Sequence, residues 1–387
     1  MKLLGTVPAA SMKSSAVHFQ PGDVLYGRLR PYLNKVYRPE FEGLCSAEFI
    51  VFPKTGGLDS RYLQYFLNSS AFVSFASHLN AGDRPRVDFE QLAPFPFPIA
   101  SPQEQQRIVA EIEKQFSRLD EAVASLKRTK ANLKRYKAAV LKAAVEGKFG
   151  SRDARGWTRT NLGTVLTSIE AGKSFKCEER MPNNHEVGVV KVSAVTWGTY
   201  DEEESKTCLD SDRIETRYFV RPGDFLFSRA NTIELVGACV IAEKVTRKLM
   251  LSDKVLRFRF SGDVVPQWVL YWLRSEIGRK EIQRLVTGNQ ESMRNIGQDR
   301  IRQIAFALPS LDDQKHIVAE VERRLSVIDE LDATVEGNLT RADRLRQSIL
   351  QQAFQGTLVM ASGDSSSCLA SAPLLAAETV SSYGKRP

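Results

Sequence analysis

The sequence contains the same order of segments twice, and this duplication constrains the fold more than any other feature. Pro21-Gly22-Asp23, followed by an apolar stretch, recurs 201 positions later as Pro222-Gly223-Asp224. Further along, the segment at 106–113 recurs 209 positions later at 315–322. A repeat of roughly 200 residues has the size of a domain, whereas solenoid repeats span about 20–50 residues. The sequence therefore predicts one domain plan used twice.

Each copy ends in a long helix with heptad spacing. The apolar seam consists of Ile112, Leu119, Leu126, Leu133 and Val140 in the first helix and Val321, Ile328, Val335 and Ile349 in the second. Such spacing is typical of a coiled coil, and two matched helices in one chain favour antiparallel pairing with each other. Residues less suited to a seam also occupy it, namely Lys130, Lys137, Asp332, Ala342 and Arg346. The alternative is that each helix packs separately on its own globular domain.

The globular segments predict mixed helix and strand. Residues 23–26 and 48–53 have strand character, and residues 60–70 and 266–277 have helical spacing. We therefore predict an α+β fold in which two mixed domains alternate with two long helices. The predicted boundaries are 1–100 for the first domain, 101–150 for its helix, 151–309 for the second domain, 310–359 for its helix, and 360–387 for a disordered tail rich in Ser and Ala.

Composition narrows the possible functions. Lys and Arg outnumber Asp and Glu by 54 to 46, giving a net charge of +8, which permits a polyanionic partner without requiring one. No apolar run reaches the length of a membrane span, and the first residues lack a secretory segment. The five cysteines are dispersed and suit a reducing cytoplasm, and no His or Cys has the spacing of metal ligands. No cofactor loop or catalytic motif is found, so we expect a cytoplasmic protein without metal, cofactor or catalysis of its own.

Three elements in this duplicated order resemble the DNA-specificity subunits of type I restriction-modification systems. They are the Pro-Gly-Asp strand segment, the Glu/Asp-Gln-x-x-Ile-Val entry to each long helix, and the helix exits at 146–149 and 354–358. The resemblance covers nearly all of the chain up to residue 359. It implies that each globular half is a target recognition domain and that the helices form an antiparallel spacer. It also implies partners: double-stranded DNA, two modification (methyltransferase) subunits, and restriction (translocase and nuclease) subunits.

Two similar domains joined by a spacer suit a bipartite DNA target. Pseudo-two-fold symmetry in a protein matches two half-sites on a duplex. A spacer of about 39 residues rises roughly 58 Å at 1.5 Å per residue. At 3.4 Å per base-pair step, this sets a ceiling near 17 base pairs on the separation of the half-sites.

The two copies differ in length at their beginnings. In the second half 65 residues run from Trp157 to Arg221, whereas 20 residues precede Pro21 in the first half. The extra block resembles the opening strands of a recognition domain, so we expect the first domain to be incomplete, with an unpaired strand edge. A gene fragment, a late start codon or a recombining silent copy would explain it. The alternative function is a coiled-coil scaffold or half-site reader without full DNA specificity.

Candidate DNA contacts are polar and basic residues on predicted loops and strand ends. Base readout favours Arg, Lys, Asn, Gln and Ser, and phosphates attract the basic residues. The candidates are Arg28, Arg30, Arg84, Arg86, Lys173, Ser174, Lys191, Ser193, Arg229, Asn231, Asn289, Gln290, Ser292, Arg294 and Asn295. Ordinary solvated loops are the alternative for all of them. A stand-alone methyltransferase is a third reading, which the missing cofactor motif disfavours.

Overall fold

The duplicated sequence folds into two units, and each long helix contributes one part to each unit. The structure, a computed structural model, describes residues 3, 5–8, 15–150, 156–288 and 293–358. Unit 1 contains the residues up to 128 together with those from 335 onward, and unit 2 contains residues 129–334. The tail predicted at 360–387 lies outside the described residues. Strands and helices are mixed in both units, which confirms the predicted α+β class.

Unit 1 is built on a three-stranded sheet. Its elements are β1 (Ala16–Phe19), β2 (Val24–Gly27), β3 (Val36–Tyr37), β4 (Gly43–Ser46), β5 (Phe49–Phe52), α1 (Ser60–Leu67), α2 (Ser70–His78), α3 (Phe89–Leu92) and the first part of α4 (Pro102–Val145). The antiparallel sheet has the order β3-β2-β5, and β1 pairs with β4. Val24 and Tyr26 of the central strand pack against Phe66 and Phe72 of the helices to form the core.

Unit 2 has two four-stranded sheets and two strand pairs. Its elements are the rest of α4, β6 (Thr158–Asn161), β7 (Leu166–Ala171), β8 (Cys177–Glu178), β9 (Gly188–Val190), β10 (Ser205–Cys208), β11 (Asp224–Ser228), β12 (Ala230–Asn231), β13 (Cys239–Ala242), β14 (Leu249–Met250), β15 (Val255–Phe260), α5 (Pro266–Arg274), α6 (Glu276–Leu285), β16 (Arg294–Asn295), α7 (Gln298–Arg302), β17 (Ala305–Leu308) and the first part of α8 (Leu311–Phe354). The sheet orders are β13-β11-β15-β7 and β14-β9-β10-β8, and β17 pairs with β6 as β12 does with β16.

The repeated Pro-Gly-Asp segment forms the same turn in both units. Gly22 and Gly223 have φ values of +90° and +87°, a backbone conformation that glycine adopts without steric cost. The side chains of Asp23 and Asp224 each accept a hydrogen bond of 2.8 Å from the backbone N–H three residues earlier. The aspartate therefore closes the turn that leads into the central strand, β2 or β11. Its recurrence reflects folding rather than ligand binding.

The helix predicted over 60–70 is two helices. α1 ends at Leu67, and Ser69 caps the start of α2 by accepting a hydrogen bond from the N–H of Phe72. Ser275 does the same at the start of α6 in unit 2. A capping serine satisfies an N–H that the first helical turn cannot bond internally, so a new helix begins there although the apolar spacing continues.

The long helices pair antiparallel in each unit. In unit 1, Ile112 and Leu119 from the beginning of α4 share a buried cluster with Ala342 and Ile349 from the end of α8. Because the beginning of one helix meets the end of the other, the pairing is antiparallel. Charged residues at seam positions form ion pairs: Arg346 contacts Asp120, and its guanidinium lies 4.3 Å from the centre of the Phe116 ring.

The same pairing occurs in unit 2 with the opposite helix ends. Val140 from the end of α4 shares a cluster with Val321 and Ile328 from the beginning of α8, and Lys137 pairs with Asp329 at 3.0 Å. Together with unit 1, this confirms the predicted antiparallel coiled coil. Among the predicted seam residues, Leu126 and Leu133 are half-buried and the others are buried: Ile112, Leu119, Val140, Val321, Ile328, Val335 and Ile349.

A buried glutamine near the start of each long helix joins that helix to its globular domain. Gln105 is completely buried, accepts a hydrogen bond from the N–H of Asp59 at 2.7 Å, and donates to the carbonyls of Gly57 at 2.9 Å and Ala100 at 2.8 Å. Gln314 makes the corresponding three bonds in unit 2, with the N–H of Val265 and the carbonyls of Asp263 and Pro309. Buried polar groups must be paired, so this interaction explains why the Glu/Asp-Gln sequence recurs.

Candidate nucleic-acid interface

In unit 2 the short strand pair β12–β16 brings four of the candidate residues together. Asn231 lies opposite Arg294 in the pair, and Ala230 lies opposite Asn295. Arg229 precedes β12, and its Nε donates to the side-chain oxygen of Asn295 at 3.5 Å. All four candidate side chains are half-buried. Two arginines and two asparagines thus share one ladder, a composition suited to base edges and phosphates.

Unit 1 contains the same arrangement from its own candidate residues. Leu29 forms an antiparallel β-bridge with Arg86, which corresponds to the pairing of Ala230 with Asn295 in unit 2. The N–H of Val87 donates to the carbonyl of Arg28 at 3.0 Å. The Nε of Arg28 also donates to the carbonyl of Val87 at 3.2 Å. The structure therefore places Arg28, Arg30, Arg84 and Arg86 on two adjacent segments. The sequence separates these segments by more than fifty residues.

Arg30 occupies a strained backbone conformation at this position. Its φ is 55°, in the left-handed region that non-glycine residues rarely adopt, and its N–H donates to the carbonyl of Pro85 at 2.7 Å. Such a residue costs about 1–3 kcal/mol and is often found at functional sites. The Nε of Arg30 and the Nε of Arg294 are both buried without a hydrogen-bond partner among the described residues.

One position that sequence reasoning missed lies beside this arrangement in both units. It is occupied by Glu48 in unit 1 and by Lys254 in unit 2, residues of opposite charge. In unit 1 the carbonyl of Glu48 accepts from the N–H of Arg28 at 2.9 Å, and its carboxylate pairs with Arg86. In unit 2 Lys254 occupies the corresponding place, and its carbonyl accepts from the N–H of Arg229 at 3.0 Å. The only available signal was their matching position just before β5 and β15. The position is therefore acidic in unit 1 and basic in unit 2.

The candidate loop between α6 and β16 is described only at its base. Asn289, Gln290 and Ser292 lie outside the described residues. At the base, Thr287 and Asn295 exchange backbone hydrogen bonds of 2.8 and 2.9 Å. These bonds tie the ends of the loop to the β12–β16 pair.

Three of the four remaining candidates contact carboxylates. Lys173 pairs with Glu215 at 2.8 Å, and this hydrogen bond raises the pKa of the Lys173 ammonium. Lys191 lies 3.5 Å from Glu179, and Ser193 donates to the carboxylate of Glu204 at 2.5 Å. Ser174, the neighbour of Lys173, is exposed. None of these carboxylate partners belongs to the β12–β16 group, so this second set of candidates forms part of other contacts.

Gly172 lies where two backbone segments approach closely. It follows directly on β7, and a Cβ built there would lie 1.8 Å from the carbonyl oxygen of Leu251. Glycine is needed because two backbone segments approach closely, as the adjacent bridge between Lys173 and Ser252 also indicates. Lys191 and Ser193 lie just beyond a short strand: β9 ends at Val190, and a 3₁₀ turn follows at Val192–Ala194.

The structure gives no sign of a metal or membrane site among the residues it describes. No group of three His, Cys, Asp or Glu side chains in the described ranges could hold a metal ion. No described helix is long and apolar enough to cross a membrane. The acidic run at 201–204 is used for structure: the Glu202 carboxylate accepts from the N–H of Thr246 at 2.8 Å and from that of Arg247 at 3.2 Å.

The chain is similar to known proteins in sequence and in fold. It is 27% identical over 333 residues to the type I restriction enzyme EcoKI specificity subunit of Escherichia coli K12, covering 82% of this chain and 68% of that protein. It is 23% identical to the EcoEI specificity subunit of Escherichia coli, in a match that covers 88% of this chain and 74% of that protein. No protein-family model matches the chain.

Two solved structures share the fold. A chain from a structure that concerns complex assembly and conformational transition of the type I R-M system has a TM-score of 0.72 at 21% identity, covering 91% of this chain and 86% of that one. The HsdS subunit of Thermoanaerobacter tengcongensis has a TM-score of 0.50 at 22% identity, with coverages of 88% and 82%.

Proposed function

We propose, on the premise that this chain is a homologue of the type I restriction enzyme specificity subunits, that it is a sequence-specific DNA-binding subunit that reads a bipartite target. Each unit reads one half-site, and the coiled coil sets the gap between them. DNA contacts come from the strand pair β12–β16 with its adjoining loop, and from the corresponding segments at 28–30 and 84–87.

The observation that carries this proposal is the repetition of one cationic arrangement in both units. Arg28 and Arg229 occupy the same position, each hydrogen-bonded through its N–H to the strand beside it. Arg86 and Asn295 also correspond. Arg86 lies opposite Leu29, the residue after Arg28, and Asn295 lies opposite Ala230, the residue after Arg229. A duplicated surface with arginines suits two half-sites of a duplex, where arginine can contact guanine edges or phosphates.

The partners follow from the same premise. We propose that the chain assembles with modification (methyltransferase) subunits, two in number, and with restriction (translocase and nuclease) subunits, in the cytoplasm. The chain itself acts without catalysis, cofactor or metal, and the assembled complex methylates and cuts DNA. The coiled coil and the globular units offer separate surfaces for these partners.

Selection of binding sites tests the proposal. The chain purified with its modification subunits is expected to select two half-sites at a fixed separation from a randomised duplex library. Arg229→Ala with Arg294→Ala should remove the preference at one half-site, and Arg84→Ala with Arg86→Ala should remove it at the other. Each lost base contact costs roughly 1–3 kcal/mol.

The matched control is Arg107→Ala, an exposed arginine of α4 that pairs with Glu104. It should leave both half-sites unchanged. The proposal would be refuted if the wild-type complex showed no sequence preference, or if Arg107→Ala lost the preference at a half-site as strongly as the double variants do. If each unit reads its own half-site, each double variant lowers the sequence preference at one half-site and leaves the other half-site unchanged.

A second candidate function is a reader of a single half-site. Ile99 in unit 1 has an exposed fraction of 82%, whereas its counterpart Leu308 in unit 2 is half-buried and lies opposite Thr158 in the pair β17–β6. Among the described residues, this segment is therefore less covered in unit 1 than in unit 2. The same selection distinguishes the candidates, because a single selected half-site, sensitive only to the unit 2 variant, supports this second function.

A further inference from the structure

Residues 95–99 of unit 1 correspond to the edge strand β17 of unit 2. The hydroxyl of Tyr62 donates to the carbonyl of Pro98 at 2.9 Å, just as Nε1 of Trp268 donates to the carbonyl of Ala307 at 3.1 Å. The buried glutamine that follows each segment makes the same three hydrogen bonds, as described above for Gln105. The two segments therefore occupy the same place in their units and can be compared residue by residue.

In unit 2 this edge is covered by β6. The N–H of Leu162 donates to the carbonyl of Ile304 at 2.9 Å, and Phe306 lies opposite Thr160. In an antiparallel pair, alternate residues face the partner strand, so Ile304, Phe306 and Leu308 direct their backbone groups toward β6. Their counterparts in unit 1 are Phe95, Phe97 and Ile99.

The prolines of unit 1 are placed so that this edge stays able to pair. Pro96 and Pro98 fall at the alternate positions, whose backbone groups face away from the edge, as the bond from Tyr62 to Pro98 shows. The N–H groups that these two prolines lack are therefore ones that a strand added at this edge would not use. The outer edge of β5 differs, because Pro53 directly follows that strand, and proline at an edge hinders pairing.

The edge is open in the described part of unit 1. The backbone groups of Phe97 and Ile99 have no hydrogen-bond partner among the described residues. Phe95 and Phe97 are half-buried, whereas Ile304 and Phe306 are buried. Beside the edge lies a cavity of about 670 Å³, lined by Phe66, Phe95, Phe97 and Phe354 and bordered by the small side chains of α2 such as Ala71.

The second unit indicates what kind of segment fits. Trp157 immediately precedes β6, has an exposed fraction of 7%, and packs edge-on against Trp268 with ring centres 5.3 Å apart. The strand that follows is polar: Thr158, Arg159, Thr160 and Asn161. An aromatic side chain anchors the segment in the core, and the backbone of the strand supplies the ladder.

We propose that residues 95–99 and the adjoining cavity bind an extended segment of another polypeptide, in which an aromatic residue precedes a polar strand, as at 157–162. The segment adds as an antiparallel strand to the edge, with hydrogen bonds to Phe97 and Ile99, and its aromatic side chain enters the apolar core. Strand addition to an exposed edge is a common mode of peptide recognition. This proposal does not depend on DNA binding.

The test uses the full chain and a fluorescein-labelled synthetic peptide with the sequence of residues 156–163. Fluorescence anisotropy should show saturable binding. The peptide with Trp157→Ala should bind at least about tenfold more weakly, because it loses the burial of its aromatic side chain. In the protein, Ile99→Pro removes an outward N–H and should weaken binding about tenfold.

The matched control is Pro98→Ala, which restores an N–H on the side away from the edge and should leave the affinity within about twofold. Ala71→Trp, at an exposed position of α2, should also weaken binding by filling the cavity, and it provides a second route if Ile99→Pro unfolds. Equal affinity of the wild type, Ile99→Pro and Ala71→Trp overturns the proposal. So does equal binding of a scrambled peptide, or a dimer in light scattering that excludes the peptide, since a second copy would then cover the edge.

Discussion

Replacing Gln105 with leucine tests the buried connection between a long helix and its globular domain. Leucine has a similar volume but makes none of the three hydrogen bonds to Asp59, Gly57 and Ala100. Each bond contributes about 0.5–1.5 kcal/mol net, so the expected loss in the free energy of unfolding of unit 1 is about 3 kcal/mol. Because every 1.4 kcal/mol corresponds to tenfold, hydrogen-exchange protection at 57–62 should fall about a hundredfold.

Hydrogen exchange read by mass spectrometry measures this effect locally. Gln106→Leu is the matched control, because Gln106 is the next residue of α4 and is exposed; its protection at 57–62 should match that of the wild type. Gln314→Leu should produce the equivalent loss in unit 2, at the segment that contains Val265. Unchanged protection in Gln105→Leu, or the same loss in Gln106→Leu, would refute the idea that the buried amide holds the helix to the domain.

Two other predictions concern unit 2. Gly172→Ala should lower its thermal midpoint by several degrees, because the added Cβ would lie 1.8 Å from the carbonyl of Leu251, whereas Gly262→Ala, with nothing within 4 Å, should have little effect in the same thermal melt. The hydrogen bond from Arg180 lowers the pKa of Glu186 to about 2, so its stabilising contribution is present above the unfolded pKa and is lost as the pH falls toward 2. In an NMR titration, Arg180→Ala should raise the Glu186 pKa part of the way toward the ordinary value of about 4.3, because the N–H of Asn183 still donates to the carboxylate at 2.9 Å; an unchanged low pKa would contradict the role of Arg180.

Much of the fold could be predicted because its signals are local and repeated. The heptad spacing from Ile112 to Val140 indicates a helix with an apolar seam whatever its partner, and the second helix with the same spacing supplies that partner. The break at Ser69 was missed because the apolar spacing continues through it, and only the capping hydrogen bond to Phe72 distinguishes the start of a new helix.

The candidate site was less predictable because it depends on pairing between distant segments. Arg28 and Arg86 were chosen for residue type, but only the bridge at Leu29 shows that they share one surface. Residue type alone also suggested Lys173, which the structure pairs with Glu215. Neither the partner of a lysine nor the close approach that requires Gly172 can be read from short sequence windows.

Three contacts that build the fold recur in both units, whereas the surface proposed for DNA contact differs between them. The turn aspartate, the capping serine and the buried glutamine make the same bonds twice. On the candidate surface only the arginine at 28 and 229 is shared. The positions that differ are Arg30 and Asn231, Pro85 and Arg294, Arg86 and Asn295, and Glu48 and Lys254.

The difference in residues on this surface has a direct consequence for recognition. Side chains at base edges determine which DNA sequence is read. A shared arginine beside them can contact the phosphate backbone of the DNA and so position it without selecting bases. Glu48 pairs with Arg86 in unit 1, whereas Lys254 occupies the corresponding position in unit 2, where its carbonyl accepts a hydrogen bond from Arg229. We therefore expect the two half-sites to differ in sequence, because the side chains that can reach base edges differ between the units.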